Sequence, residues 1–318
     1  MNATEPRVSA IVVNYNGAVC LERCITSLKA SAQVLEIIVV DNASTDGSAE
    51  RAEANYPGIR LLRSGGNVGF GRGCNLGAAA AQGDTLLLLN YDAELEPDLA
   101  PAIERLWQER GLGILGGRLT SSQQAFQPSV GFAHTPARIV LSWLGLARLS
   151  PTGSWFQRER LDAAFYETPQ SQVPWVSGAL MLIRREAWEA VGGMDPGFFL
   201  YLEDVDLCER LATSGWAVGY EPSLSAVHAP RQGSAVVSRR ALLSTVDACH
   251  HFTRSRRGPF IAALTLSFLG LVFAVRALVL ALAHWRVAPS LESRTYAAGA
   301  LRAMSWGLGS RHPWGPPC

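Results

Sequence analysis

The chain has 318 residues, 48% of them apolar and 17% charged, enough for one large core and too apolar for a disordered polypeptide. Its formal charge of +1 hides an asymmetry: residues 1–228 hold 17 basic and 25 acidic side chains, whereas residues 229–318 hold 11 arginines and 2 acids. An acidic body with no nucleic-acid motif speaks against a nucleic-acid partner, and the basic, apolar tail points to an anionic lipid surface.

The first 118 residues alternate strand and helix. "VSAIVVNYN" (8–16) predicts a strand, and residues 17–30 an amphipathic helix with Leu21, Ile25 and Leu28 on one face. "LEIIVVDNAS" (35–44) is a second strand, followed by a short helix headed by Thr45 that fades before Pro57, and "IRLLR" (59–63) is a third. "GFGRGCNLGAAAAQG" (69–83) reads as a glycine-entered helix and "DTLLLLN" (84–90) as a strand buried on both faces, with a proline-initiated helix running to about Arg110. This alternation predicts an α/β fold with a parallel sheet and helices on both faces.

Residues 119–172 carry a weaker pattern and read as a variable loop region or helical insertion lining one side of a site. Order returns with "VPWVSGALMLIRREAWEAVGGMD" (173–195), a long apolar strand and short helix, then "EDVDLCERLATSG" (203–215), a helix stopped by glycine. "WAVGYEP" (216–222) and "LSAVH" (224–228) are further strands. Residues 259–275 are uncharged and the apolar run continues to about 285, near the lower limit for a membrane-spanning helix. Arg254, Arg256 and Arg257 before it and Arg286 after it fit anchoring at a cytosolic lipid surface, while an interfacial or buried core helix remains an alternative. No secretory signal precedes the first strand and the six cysteines are scattered, so the body is expected on the cytoplasmic side with reduced thiols.

The strand ends carry the chemistry. They present Asn14-Tyr15-Asn16, Asp41-Asn42, Gly66-Asn67-Val68-Gly69 and Asn90-Tyr91-Asp92, and in a parallel α/β sheet such ends share one edge, where ligands bind. Asp41 is suited to accept from a base imide or ribose hydroxyl, with capping of the following helix as its structural alternative. Tyr15 is suited to stacking on a base, Arg72 to a nucleotide's sugar or phosphates, and Asp92 to a hard divalent cation bridging a diphosphate. Gly69, Gly71 and Gly73 follow a turn instead of a strand, against a dinucleotide fingerprint. In "FFLYLEDVDLCERL" (198–211), Glu203, Asp204 and Asp206 crowd a helix start, either as capping acids or as a catalytic carboxylate behind an aromatic wall. His228 closes a strand, where it is either structural or a metal's imidazole ligand.

Together "IVVNYNG", "IIVVDNASTDGS", "NVGFGRGCNLG", "LLLLNYD", "WVSGALMLIRREAWEAVGGMD", "FFLYLEDVDLCERL" and "VHAPRQGS" resemble family 2 glycosyltransferases, the inverting GT-A group. The nearest likeness is to its rhamnosyltransferase branch in bacterial cell-surface polysaccharide synthesis. The resemblance implies a GT-A fold, a mixed and mostly parallel sheet flanked by helices, with a catalytic domain over 1–235 and a basic, membrane-associated helical tail over 236–318. Within that domain, 1–118 would bind the nucleotide, and 119–235 the acceptor and metal. It implies a nucleotide-sugar donor (dTDP- or UDP-linked, best matched by dTDP-rhamnose) and a lipid-linked or polysaccharide acceptor. Asn14, Tyr15, Asp41, Asn67, Gly69 and Arg72 would line the nucleotide, and Trp175 and Gly178 the donor sugar. Asp92 and His228 would hold Mg²⁺ or Mn²⁺, and Asp204 with Glu203 would supply the base. Asn90 and Tyr91 depart from the family's usual Asp and Pro, leaving one carboxylate in the metal motif. Galactofuranose, glucose or an aminosugar would use the same residues, and a sugar-nucleotide nucleotidyltransferase is the rival enzyme class.

Overall fold

The computed structural model describes residues 7–144, 156–229, 238–283 and 291–307, so Arg286, Cys318 and the end of "VHAPRQGS" lie outside the described residues. In chain order the elements are β1 (Val8–Asn14), α1 (Ala18–Ala30), β2 (Val34–Asp41), α2 (Ser48–Asn55), β3 (Arg60–Arg63), α3 (Phe70–Ala80), β4 (Thr85–Leu89), β5 (Ala93–Leu95) and α4 (Ala100–Gln108). There follow β6 (Leu112–Thr120), β7 (Phe126–Gln127), β8 (Val130–Gly131), α5 (Pro136–Ser142), β9 (Trp175–Val176), β10 (Leu180–Arg184), α6 (Arg185–Ala190), α7 (Glu203–Thr213) and β11 (Ala217–His228). Helices α8 (Arg239–Arg257), α9 (Pro259–Ala283) and α10 (Leu291–Gly307) close the chain. Two compact units emerge: one holds 7–132, 159–195 and 203–229, and the other 133–144, 156–158, 196–202 and the described residues from 238 onward.

The first unit is built on a nine-stranded sheet ordered β3-β2-β1-β4-β10-β6-β11-β5, with β7 beside β6. Strands β3, β2, β1 and β4 are mutually parallel, as the alternating pattern predicts. Strand β10 then lies antiparallel between β4 and β6, and β11 runs parallel to β6. The sheet is therefore mixed. A run of buried apolar residues reads the same in either direction, and β10 arrives by a long connection, so no hairpin turn announces it. The long strand predicted from residue 173 is interrupted: β9 ends at Val176, Gly178 and Ala179 turn, and β10 starts at Leu180. Conversely, the two strands predicted over 216–228 are one, β11, with a register irregularity between Glu221 and Ser225.

Leu86 to Leu89 of β4 are each at most 1% exposed, and burying each such side chain contributes roughly 1.5–3 kcal/mol. Helix α3 packs so closely on β1 and β2 that a β-carbon at Gly77 would overlap the Ile11 side chain and meet Val40 Cγ2 at 3.3 Å. Helix α4 stops at Gln108, short of Arg110, because the buried Arg184 of β10 takes its last carbonyls: it donates to Leu106 and, at 3.4 Å, Glu109, and to Leu112 at 2.8 Å. A cation at a helix C-terminus meets the negative end of its dipole.

In the second unit α8, α9 and α10 pack together with α5. Asp247 of α8 accepts two bonds from Arg302 of α10 (2.7 and 3.1 Å) and one from the Trp306 indole (2.7 Å). Helix α9 is 25 residues long and apolar enough to cross a membrane. It is not a buried core helix: Phe260, Phe268, Leu271, Val275, Leu278 and Leu282 are each more than half exposed, leaving a continuous apolar face uncovered.

Candidate functional site

At the ends of β1 and β2, Asn14 is fully buried and its amide donates to Asp41 Oδ1 (3.1 Å), Ser44 Oγ (3.0 Å) and Ser48 Oγ (3.0 Å). Asp41 also accepts from the Ser44 N–H at 3.2 Å. The helix-capping alternative for Asp41 falls away, since Asp46 accepts the Ser48 N–H (3.0 Å) at the start of α2. Tyr15, beside this knot, is 36% exposed, free to offer a ring face to a ligand. Asn14 and Asn42 each keep a buried carbonyl oxygen without a donor, an acceptor in reserve for a ligand's N–H or O–H. The chain here is strained: Asn16, Ala18 and Ala43 adopt left-handed backbone angles, as do Tyr201 and Leu202 immediately before α7. Such strain persists where the surroundings over-determine it, and it clusters at functional sites.

Asn42 donates to the carbonyl of Gly69 (2.9 Å), which ties β2 to the entry of α3. Gly69 has φ +90° and donates to Asn67 Oδ1 at 3.2 Å, a turn a side-chain-bearing residue resists. Arg72 is half-buried in the first turn of α3. One residue earlier, a β-carbon at Gly71 would stand 3.6 Å from Glu203 Cβ, so α3 and α7 meet at their N-termini.

Glu203 and Asp204 begin α7. Asp204 Oδ2 accepts from the Gly178 N–H (2.9 Å) in the turn between β9 and β10, and its Oδ1 accepts from the Val205 N–H (2.8 Å). Burial raises the Asp204 carboxyl above its ordinary value, opposed by these N–H donors. Glu203 is 5% exposed, its Oε2 has no partner, and burial, then the neighbouring Asp204, pushes it up to about 8. Of the two, Asp204 is the one that ionises first, because two N–H groups stabilise its anion and nothing does so at Glu203 Oε2. Trp175 is 8% exposed and its indole N–H is committed to the Phe132 carbonyl (2.9 Å), so it braces β9 behind the Gly178 turn.

Asp92 and His228 meet where β5 pairs with β11, with Asp92 Oδ1 3.4 Å from His228 Nε2. Gln127, in the segment with the weakest sequence pattern, fixes that ring. Its amide nitrogen donates to the His228 carbonyl (2.8 Å), which can only accept, and this turns its oxygen to His228 Nδ1 (3.0 Å). In the neutral imidazole Nδ1 then carries the proton, and Nε2 keeps its lone pair on the Asp92 side. No motif marks Gln127, and its partner is 101 residues away.

The sequence-predicted residues close into one circuit. Asn42 reaches Gly69; Gly71 abuts Glu203; Asp204 holds Gly178; and Ala179, next in the chain, accepts from the Asn90 N–H (3.1 Å), two residues before Asp92. Tyr91 returns to β1, its ring 3.0 Å from where a β-carbon at Gly17 would sit. Asp204 is thus linked through Gly178 and Ala179 to the end of β4, two residues before Asp92, and the carboxyl edge of parallel strands is where open α/β sheets bind ligands.

Residues 9–192 match the model of glycosyl transferase family 2, more than half of the chain. The chain belongs to this family. A second model, glycosyl transferase family group 2, matches residues 126–289. Among curated relatives, the N-acetylglucosaminyl-diphospho-decaprenol L-rhamnosyltransferase of Mycobacterium tuberculosis is 32% identical over 236 residues, covering 69% of this chain and 74% of that protein. The rhamnosyltransferase WbbL of Escherichia coli is 26% identical over 230 residues, covering 70% of this chain and 83% of that protein. In fold it is similar to the mannosyltransferase PcManGT from Pyrobaculum calidifontis in complex with GDP-Man and Mn²⁺ (TM-score 0.53, 17% identity, 96% of this chain and 87% of that chain). It is likewise similar to S. aureus TarS in complex with UDP-GlcNAc (TM-score 0.53, 15% identity, 94% and 81%). The fold is of the GT-A type and the protein is a glycosyltransferase.

Proposed function

We propose that this family 2 glycosyltransferase moves L-rhamnose from dTDP-rhamnose to a hydroxyl of a lipid-linked glycan, with inversion, at the cytoplasmic face of a membrane. The observation that carries the proposal is the pairing at the head of α7: an Asp204 carboxylate held by the Gly178 and Val205 N–H groups, beside a buried Glu203. Rhamnose and the lipid-linked acceptor rest on the mycobacterial relative, whose name specifies both.

In this reading Asn14 and Asp41 fix the pyrimidine, Tyr15 stacks on it, and Asn67, Gly69 and Arg72 flank the sugar and phosphates. Gly178 leaves room for the donor sugar, and Trp175 holds that turn in place. Asp204 takes the proton from the acceptor hydroxyl, which attacks the anomeric carbon opposite the nucleotide; the bond to the diphosphate breaks and the nucleoside diphosphate leaves. With one base and no protein nucleophile, the configuration inverts. Glu203, raised by burial and by Asp204, adds less negative charge beside the base than a solvated carboxylate would.

Asp92 and His228 fit a divalent cation, Mg²⁺ or Mn²⁺. Asp92 Oδ1 lies 3.4 Å from His228 Nε2, with the Asn90 amide 3.5 Å from the same nitrogen, so a carboxylate and an imidazole acceptor would be available to hold such a cation. The solved mannosyltransferase neighbour carries Mn²⁺. Bound there, the cation would stabilise negative charge developing on the leaving diphosphate. Membrane attachment is supported by the uncovered apolar face of α9 and the arginines at the end of α8.

The test is product analysis with dTDP-rhamnose and a polyprenyl-diphosphate-linked aminosugar. Release of dTDP, a single product anomer of inverted configuration, and loss of turnover in EDTA are expected. Release of pyrophosphate, or retention at the anomeric centre, would overturn the assignment.

A further inference from the structure

The second unit contains a cavity of about 510 Å³ that the catalytic reading does not use, lined by Phe199, Arg239, Arg240, Leu243, Ser244, Asp247 and Arg302. That volume is in the range of small-ligand pockets. Its one carboxylate is spent. Asp247 accepts both Arg302 bonds and the Trp306 N–H, so Asp247 and Arg302 cancel. The net charge of the lining is carried by Arg239 and Arg240, neither of which pairs with a carboxylate among the described residues. These two also form the first turn of α8, a helix of 19 residues whose N-cap, Ser238, accepts the Ala241 N–H on its hydroxyl and the Leu242 N–H on its carbonyl. The remaining N–H groups and the helix dipole add to the positive end. Phe199 and Leu243 contribute apolar surface to the lining.

Two arginines, a helix start and a hydroxyl together with apolar surface suit an anion with a hydrocarbon attached, and arginine forks match phosphate geometry. The same unit carries the exposed apolar face of α9, so such an anion reaches it in a lipid. We propose that this cavity binds a phosphate ester carried on a lipid, through Arg239 and Arg240. The inference rests on the lipid-linked acceptor and membrane attachment proposed above. Two sources share the chemistry: the diphosphate of a polyprenyl-linked acceptor and the headgroup of a bulk anionic phospholipid.

The experiment is calorimetric titration of the full chain in non-ionic detergent with farnesyl diphosphate, dihexanoyl phosphatidylglycerol and inorganic diphosphate. The variants are Arg239→Gln/Arg240→Gln, the charge-conserving Arg239→Lys/Arg240→Lys, and Ser244→Asp, which adds a carboxylate without removing an arginine. Wild type is expected to prefer farnesyl diphosphate to inorganic diphosphate. The glutamine pair should weaken farnesyl diphosphate at least tenfold, the lysine pair less, and Ser244→Asp should repel it too, with melting temperature and nucleoside diphosphate affinity held. Loss confined to farnesyl diphosphate identifies the acceptor as the source; equal loss of phosphatidylglycerol identifies the bulk headgroup. Wild-type affinity for both lipids in the glutamine pair and in Ser244→Asp overturns the site, as does inorganic diphosphate binding as tightly as the lipids. Failure of the catalytic reading is separable, because it would show as absent sugar transfer whatever these titrations give.

Discussion

Replacing Glu203 by glutamine tests the electrostatics of the site on the protein's own stability. Burial and the neighbouring Asp204 raise the Glu203 carboxyl from 4.5 to about 8. A folded-state value above the unfolded one means that, between these pH values, the native chain holds a proton the unfolded chain has lost. The group's contribution is therefore fully present below about pH 4.5 and is lost as pH rises through about 8. At about 1.36 kcal/mol per pH unit, the loss is on the order of 5 kcal/mol if the full rise is realised. Glutamine has the shape of the protonated acid and no charge to bury, so its stability lacks this slope. Its amide carries a separate cost of about 1–3 kcal/mol for an unpaired donor, but that cost does not vary with pH. Thermal melts of both proteins from pH 5 to pH 9 should show the variant gaining on the wild type by roughly 10 °C in Tm, taking about 2–4 °C per kcal/mol for a chain of this size. Parallel curves across that range would refute a Glu203 carboxyl raised by burial.

Gln127→Leu removes the group that sets the His228 tautomer while leaving both proposed ligands in place. Mn²⁺ affinity, read by electron paramagnetic resonance, should fall about 10–100-fold, as loss of a ligand's supporting hydrogen bond typically does; unaltered affinity would remove Gln127 from the site. Gly77→Ala places a methyl against Ile11 and Val40 and should cost about 1–3 kcal/mol in denaturant melts without altering nucleotide affinity. Chains ending before Pro259 should lose sedimentation with anionic vesicles, since the exposed apolar face of α9 is then gone.

The parallel half of the sheet could be read directly: "IVVNYN", "IIVVDN" and "LLLLN" have the length and burial of parallel strands, and their polar ends do share one edge. What local pattern could not carry was direction. Leu180 to Arg184 look like any core strand, and only pairing with β4 and β6 reveals that β10 runs against them. The turn at Gly178 and Ala179 was hidden inside an apolar run, although Gly178 was marked as a site residue, and its N–H meets Asp204. Trp175 was marked from its motif, but its bond to the Phe132 carbonyl could not be read, because that partner lies 43 residues earlier. Gln127 escaped for the same reason. A side chain that acts by orienting another across the sheet leaves no spacing in the sequence.

Asp204→Asn is the most direct measurement, because it leaves the outline of the carboxylate and removes its basicity. Nucleotide-sugar binding by titration should be retained, while turnover in the dTDP-release assay should fall by about 10²–10⁴-fold, the usual effect of losing a general base. Turnover near the wild-type rate, in a variant shown to bind donor, would contradict the account at its centre.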